Sequence, residues 1–484
     1  MLRKLSLALA VSCASNGWVF ADVAPLASKT DLVSVYQDAV NNNADLAAAQ
    51  ADYAAQREVV PQARAGLLPN LSAGANVQNT RTTFDQPAMT ATRSGTLYQA
   101  TLSQPIFRAD RWFQLKAAKA IDQQAALRLS ATEQNLILQS AEDYFAVLRA
   151  QDNLATAKAE ENAFRQQLDQ SNGRFEVGLT DKTDTLQSQA SYDTARANRI
   201  VAQRQVEDAF QALITLANRE YNSIQGIVHT LPVLPPSPND AKAWVDTASQ
   251  QNLNLLASNF AVTSAEETLS QRKAGHAPTV DAVAQIQKGD NDNLGFANPN
   301  GLGVNYGGPV EERTLGIQLN VPLYSGGMTS SQVREAYARL SQSEQQRESL
   351  RRQVVENTRN LHRAVNTDVE QVQARKQSII SNQSSVQATE IGYQVGTRNI
   401  VDVLDAQRQL YASVRDYNNA RYDYILDNLR LKQAAGTLSP QDLQDLAHYL
   451  KPDYNPDKDF LPPDLAKAAE ALLKPPAKTA GKIP

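Results

Sequence analysis

Asp402 and Asp405 sit three residues apart inside YQVGTRNIVDVLDA (393–406), and Asp184 closes the related stretch RFEVGLTDKTD (174–184). Carboxylates spaced i, i+3 share one helical face. There they could draw cations together, or merely complement the positive end of a helix dipole from its first turn; both readings stand at this point. The two stretches align without gaps at a constant offset of 218 residues, from 177 to 395 and from 184 to 402. Phe175 falls on Tyr393, Val177-Gly178 on Val395-Gly396, Asp184 on Asp402, Leu186 on Leu404 and Gln189 on Gln407. Asp184 has no second acid, because Gln187 stands where Asp405 does. The glycines of Val177-Gly178-Leu179 and Val395-Gly396-Thr397 suit tight turns, since glycine takes positive φ without strain.

No other residues assemble a catalytic, cofactor or metal site. His229, His276, His362 and His448 are scattered without ligand spacing. Ser325-Gly326-Gly327 lacks the G-x-S-x-G context of a nucleophile elbow. GLGVNYGG (301–308) has the wrong glycine spacing for a dinucleotide loop. Net charge is only −4, and the lysines and arginines are dispersed, so no footprint for nucleic acid exists.

Residues 1–21 read as a signal peptide: Arg3 and Lys4 precede the apolar run Leu5–Val11, and Val19-Phe20-Ala21 offers a cleavage site. Acylation at Cys13, the only cysteine, is the rival reading. Cleavage after Ala21 leaves a mature chain without thiol chemistry.

The elements that position the acids come in duplicate. The chain has 484 residues, yet only 42% are hydrophobic and 6% aromatic, which suits long helices with narrow apolar stripes better than a thick core. Asp45-Leu46 through Pro69 matches Asn254-Leu255 through Pro278 at an offset of 209, and Leu102–Phe107 matches Leu319–Tyr324 at 217. This is a duplicated half rather than a solenoid unit. The halves span 22–238 and 239–437, followed by 438–484.

Each half predicts an amphipathic helix (about 31–64 and 240–274), opened by Asp31 or Asp240 as N-cap, and then a β-hairpin. Leu71, Ala73, Ala75 and Val77 alternate with Ser72, Gly74, Asn76 and Gln78; Tyr98, Ala100 and Leu102 alternate with Gln99, Thr101 and Ser103. Val280–Ile286 and Leu315–Val321 repeat the pattern. Apolar-out, polar-in alternation fits membrane strands, although a soluble antiparallel sheet alternates too. Long polar loops are expected at about 80–95 and 288–312. Stretches 110–171 and 329–391 contain neither Gly nor Pro and predict long rods, each with two shorter helices laid end to end beside it. Helices at about 184–222 and 400–435 follow the charged turns, the second stopped by Gly436. No other stretch approaches the ~20 apolar residues of a membrane helix.

Four strands cannot close a membrane barrel, since bacterial barrels begin at about eight, and open edges in lipid are not tolerated. The expected architecture is a mixed α+β membrane protein. Two copies would give eight strands, largely filled with side chains, whereas three give a shared twelve-stranded barrel with room for a passage, so three chains with four strands each are expected.

RFEVGLTDKTD (174–184), VPLYSGGM (321–328) and YQVGTRNIVDVLDA (393–406) closely resemble the TolC-like family of outer-membrane efflux and type I secretion ducts. The resemblance runs from Asp31–Tyr36 to Gly436-Thr437-Leu438. It implies a homotrimer whose shared twelve-stranded barrel sits in outer-membrane lipid, continuous with a long α-helical periplasmic barrel. It also implies a periplasmic adaptor (membrane fusion) protein and an inner-membrane RND, ABC or MFS transporter as partners. By the family pattern, Asp184, supported by Thr183, accepts bonds from Tyr393 and Arg398 and holds a gate shut. Asp402 and Asp405 form two stacked selectivity rings, and Val177-Gly178-Leu179 and Val395-Gly396-Thr397 receive the adaptor. Family members often carry a polar side chain where this chain has Gly173. A non-conducting coiled-coil spacer or trimeric adhesin is the competing account; it explains the helices but not the four amphipathic strands. The segment 229–240 is expected in a collar, and about 452–484 is Pro- and Lys-rich and expected to be unstructured.

Overall fold

The computed structural model describes residues 29–86, 88–290 and 309–461. The signal segment 1–21, GLGVNYGG and residues 462–484 lie outside the described residues.

Each expected opening helix is subdivided. The first comprises α1 (Leu32–Asn42), α2 (Ala44–Arg57) and α3 (Val59–Ala65). The second comprises α6 (Ala241–Gln251) and α7 (Leu253–Lys273). The breaks at Asn43 and Asn252 have one cause: an asparagine carboxamide competes with the helix for backbone groups. Asn43 caps α2 by accepting from Leu46 N at 2.9 Å and donates to Leu216 O at 3.1 Å. Asn252 accepts from Leu255 N and donates to Ala434 O, both at 3.0 Å. The same joint thus ties each opening helix to the far end of its own half.

Strands β1 (Asn70–Asp85) and β2 (Ala88–Phe107) follow α3. The first rod, α4 (Ala109–Glu176), has 68 residues and leads through the first turn to α5 (Lys182–Ala217). Asn218, at φ 47°, ends α5. In the second half β4 (Thr279–Asp290) and β5 (Pro309–Asn320) precede α8 (Met328–Gln394, 67 residues) and α9 (Ile400–Ala435). At 1.5 Å per residue the two rods are each about 100 Å long. Near the sheet α4 packs on α2, α3 and α7, and farther away on α5; α8 packs on α6 and α7, then on α9. End-to-end pairing of short helices beside each rod is therefore realised. Gly436, at φ 77°, stops α9 where a β-carbon would collide with the Gln251 carbonyl.

The strands form one antiparallel sheet in the order β1-β2-β4-β5. Its register stacks Leu71, Leu102, Ala284 and Leu315 in one row, and Ser72, Thr101, Gln285 and Thr314 in the next. Successive side chains point to opposite faces, so one face is apolar and the other is amide- and hydroxyl-rich. The apolar face is bare: Leu71 is 74% exposed, Leu315 85% and Ile317 74%. Most of 80–95 is strand rather than loop, with the register carried to Asp85↔Ala88. Thr80, Thr83, Thr90 and Thr92 hold the extended backbone there without apolar alternation to announce it. Arg108, just before α4, grips Asp281 of β4 with bonds of 3.0 and 2.7 Å, fixing the sheet to the rods.

The main core lies at mid-height, where Tyr144, Phe145 and Leu148 of α4 meet Leu213 of α5 and Tyr422, Ile425 and Leu429 of α9. A collar wraps it, made of β3 (Gly226–Ile227), α10 (Pro440–Ala447), β6 (Leu450–Lys451) and α11 (Pro456–Asp459), with β3 paired to β6. The linker joins the collar through Leu234, bonded to the Tyr424 hydroxyl, and His229, 2.8 Å from Asp459 O. Residues 452–461, expected to be unstructured, pack here: Tyr454 is buried and its hydroxyl, like that of Tyr422, donates to Asp152. Burial pushes the Asp152 carboxyl up to about 6, and the two hydroxyl bonds only partly offset this.

Candidate functional site

The two charged turns close the ends of the rods away from the sheet, and helix-capping chemistry builds both. Asp181 caps α5 by accepting from the amides of Thr183 at 2.8 Å and Asp184 at 3.1 Å. Its counterpart Asn399 caps α9, accepting from Asp402 N at 2.9 Å, while the Asp402 carboxylate returns to Asn399 N at 3.4 Å. Gly178 and Gly396, at φ 76° and 79°, reverse the chain with open space around them. Conformation rather than crowding dictates glycine at both. Val177, Leu179 and Val395 project into solvent at the tips, and Thr397 folds back so that its hydroxyl donates to Gly392 O at 3.1 Å.

Within one chain the expected gate residues have local partners. Asp184 accepts from the Thr180 hydroxyl one helical turn earlier. Arg398 lies 3.9 Å from Asp402. Positions 180 and 398 are equivalent at the 218-residue offset, so each acid faces a partner four residues before it. Tyr393 is buried between the hairpins with the Arg174 guanidinium 4.7 Å over its ring, and its hydroxyl has no partner among the described residues. The structure does not join Asp184 to Tyr393 or Arg398 inside a single chain.

Asp402 lies in the first turn of α9, where it completes the capping box, and the exposed Asp405 is paired at 2.6 Å with Arg408. Capping and cation attraction are compatible, because a carboxylate bonded to one amide keeps free lone pairs toward solvent.

Several contributors were missed in the sequence. A β-carbon on Gly392 would come 2.7 Å from Arg398 Cγ, so the missing side chain there is what lets Arg398 lie back over the end of α8. Its equivalent is Arg174, an inequality inside the repeat that could have flagged it. Arg408, one turn after Asp405, was another available signal.

The chain matches the family of outer membrane efflux proteins over residues 35–219 and 244–437. It is 36% identical over 425 residues to the outer membrane protein TolC of Vibrio cholerae, covering 87% of this chain and 94% of that protein. It is 28% identical over 421 residues to the alkaline protease secretion protein AprF of Pseudomonas aeruginosa, covering 85% and 86% respectively. The crystal structure of the outer membrane protein VceC from Vibrio cholerae has the same fold, with a TM-score of 0.72 at 17% identity over 84% of this chain and 96% of that one. The chain belongs to the outer membrane efflux protein family and is an outer-membrane channel protein, not an enzyme.

Proposed function

We propose that three copies of this chain form the passive exit duct of a tripartite efflux pump or type I secretion system. The observation that carries this reading is the sheet: four strands, both edges unpaired among the described residues, one face apolar and exposed. Unpaired strand edges and water-free lipid are incompatible, so β5 of one chain pairs with β1 of the next until a twelve-stranded barrel closes. The polar faces then line the passage, and the rods extend it through the periplasm as a helical tunnel. Residues 1–21 target the chain for export and are removed, 22–238 and 239–437 are its two repeats, and the described part of the C-terminal segment 438–484 completes the collar.

The turns narrow the inner end. Asp184, supported by Thr183, exchanges its Thr180 bond for Arg398 and Tyr393 across hairpins, in the assembled ring. Charge-assisted bonds of this kind contribute about 1.5–3 kcal/mol each when shielded. Three such pairs of bonds keep the entrance shut yet remain within reach of a binding partner. That partner is a periplasmic adaptor engaging Val177-Gly178-Leu179 and Val395-Gly396-Thr397, with an RND, ABC or MFS transporter in the inner membrane beyond it. Asp402 and Asp405 repeat around the axis as two carboxylate rings that attract cations.

Planar-bilayer recording tests the reading. The parent should show a small, cation-preferring conductance, and Asp184→Ala or Arg398→Ser should raise it about tenfold. Silence in the parent and in both variants would leave a non-conducting spacer.

A further inference from the structure

Just above the second turn, α4, α8 and α9 do not close on one another. They leave a cavity of about 330 Å³ whose lining includes Gln167, Gln170, Glu390, Tyr393, Gln407 and Tyr411. Three lining side chains are more than nine-tenths buried: Gln167 is 7% exposed, Tyr393 8% and Gln407 9%. Each carries a buried polar atom with no partner among the described residues: Gln167 Nε2, Tyr393 Oη and Gln407 Oε1. The first can only donate, the second can do either and the third can only accept. The other end of the Gln407 amide is fixed, since Nε2 donates to Glu390 Oε1 at 3.0 Å.

Buried polar groups without partners are rare because desolvating them costs free energy that nothing returns. A donor, an acceptor and an amphiprotic hydroxyl around one space call for an occupant that both donates and accepts. At about 30 Å³ per molecule the space suits on the order of ten waters. The neighbouring α4–α5 seam is more nearly self-satisfied, with Thr185 Oγ1 as its buried atom without a partner among the described residues. Ser171 and Ser188 satisfy each other at 3.0 Å across α4 and α5, and Phe164, Ile400, Val403 and Leu404 form a dry contact alongside.

We propose that this cavity binds a cluster of ordered water, and that the cluster leaves the foot of α9 looser against α4 than α5 is. Water can change partners as helices shift, whereas interlocked side chains cannot. The proposed gate gives that looseness its use, since the cavity borders Tyr393; the hydration itself does not depend on the gate.

Radiolytic hydroxyl-radical footprinting of the purified full-length protein, read by mass spectrometry, tests it. Bound water should oxidise Tyr393 at least threefold faster than Tyr422 of the dry core. Gln167→Leu/Gln407→Leu, or Gln167→Leu alone if the pair fails to fold, should cut that rate at least threefold and slow amide exchange over 403–411 about tenfold. Labelling of Tyr393 no faster than Tyr422, as when a neighbouring chain fills the space, would overturn the proposal, as would unchanged labelling and exchange in the variants. Footprinting reads the cavity and bilayer conductance reads the gate, so either can fail alone.

Discussion

The two inner turns share a plan and a backbone but not a packing environment. Tyr393 is 8% exposed and its equivalent Phe175 45%; Leu404 is 2% exposed and its equivalent Leu186 57%. Ile400 is buried where the first turn has Lys182. The second turn therefore packs inward on α4 through Phe164, whereas the first presents its apolar residues outward. Duplication supplied two similar surfaces, and only one finds its mate within the chain. In the ring proposed above, the other would find its mate on the next subunit.

That contrast can be broken most severely at the buried leucine. Leu404→Ala should destabilise the unassembled chain by about 2–5 kcal/mol, the range for emptying a packed leucine site. Leu186→Ala should change it by about 0.5 kcal/mol or less, in line with other exposed positions. Denaturant unfolding checks both, and equal losses would show that the turns are not differently packed. The acids come next. Asp402→Ala/Asp405→Ala should relieve multivalent-cation block from the periplasmic side by on the order of a hundredfold, a two-charge effect in a confined entrance. Asp184→Ala, at a position with no second acid three residues later, should leave that block within a few-fold of the parent. Unchanged block in the double variant would remove the second turn from ion selection.

The smallest effect sharpens the same contrast. Arg408 pairs with Asp405 at 2.6 Å, and the equivalent position after Asp184 is Ala190. An exposed pair of this type contributes up to about 1 kcal/mol, so Arg408→Ala should tighten the block about threefold to fivefold. Weaker block in that variant would mean that the arginine does not offset the charge of Asp405.

Periodicity made much of this architecture readable. Strand alternation emerged because one face of the sheet is apolar and the other rich in amides and hydroxyls, and the rods because over sixty residues pass without a proline. The subdivided opening helices were legible too late: Asn43 and Asn252 are ordinary residues until Leu216 and Ala434 come within reach of their amides. The upper hairpin was misread as loop because apolar residues are sparse along 79–94, leaving too little alternation to detect. The ordered start of the tail escaped notice because its anchors, Asp152 for the Tyr454 hydroxyl and His229 for the Asp459 carbonyl, lie more than two hundred residues earlier.

The sequence by itself determined the repeated spacing of the two halves, the turn glycines, the Asp31 and Asp240 caps and which face of each strand is apolar, because all of these follow from local geometry and spacing. Only the tertiary structure decided which turn is buried, where Asp184 and Arg398 find their near partners, and where a polar cavity stays open beside Tyr393. Those outcomes depend on which surfaces meet across three helices, and a repeat encodes the same surfaces twice without saying which copy will be covered.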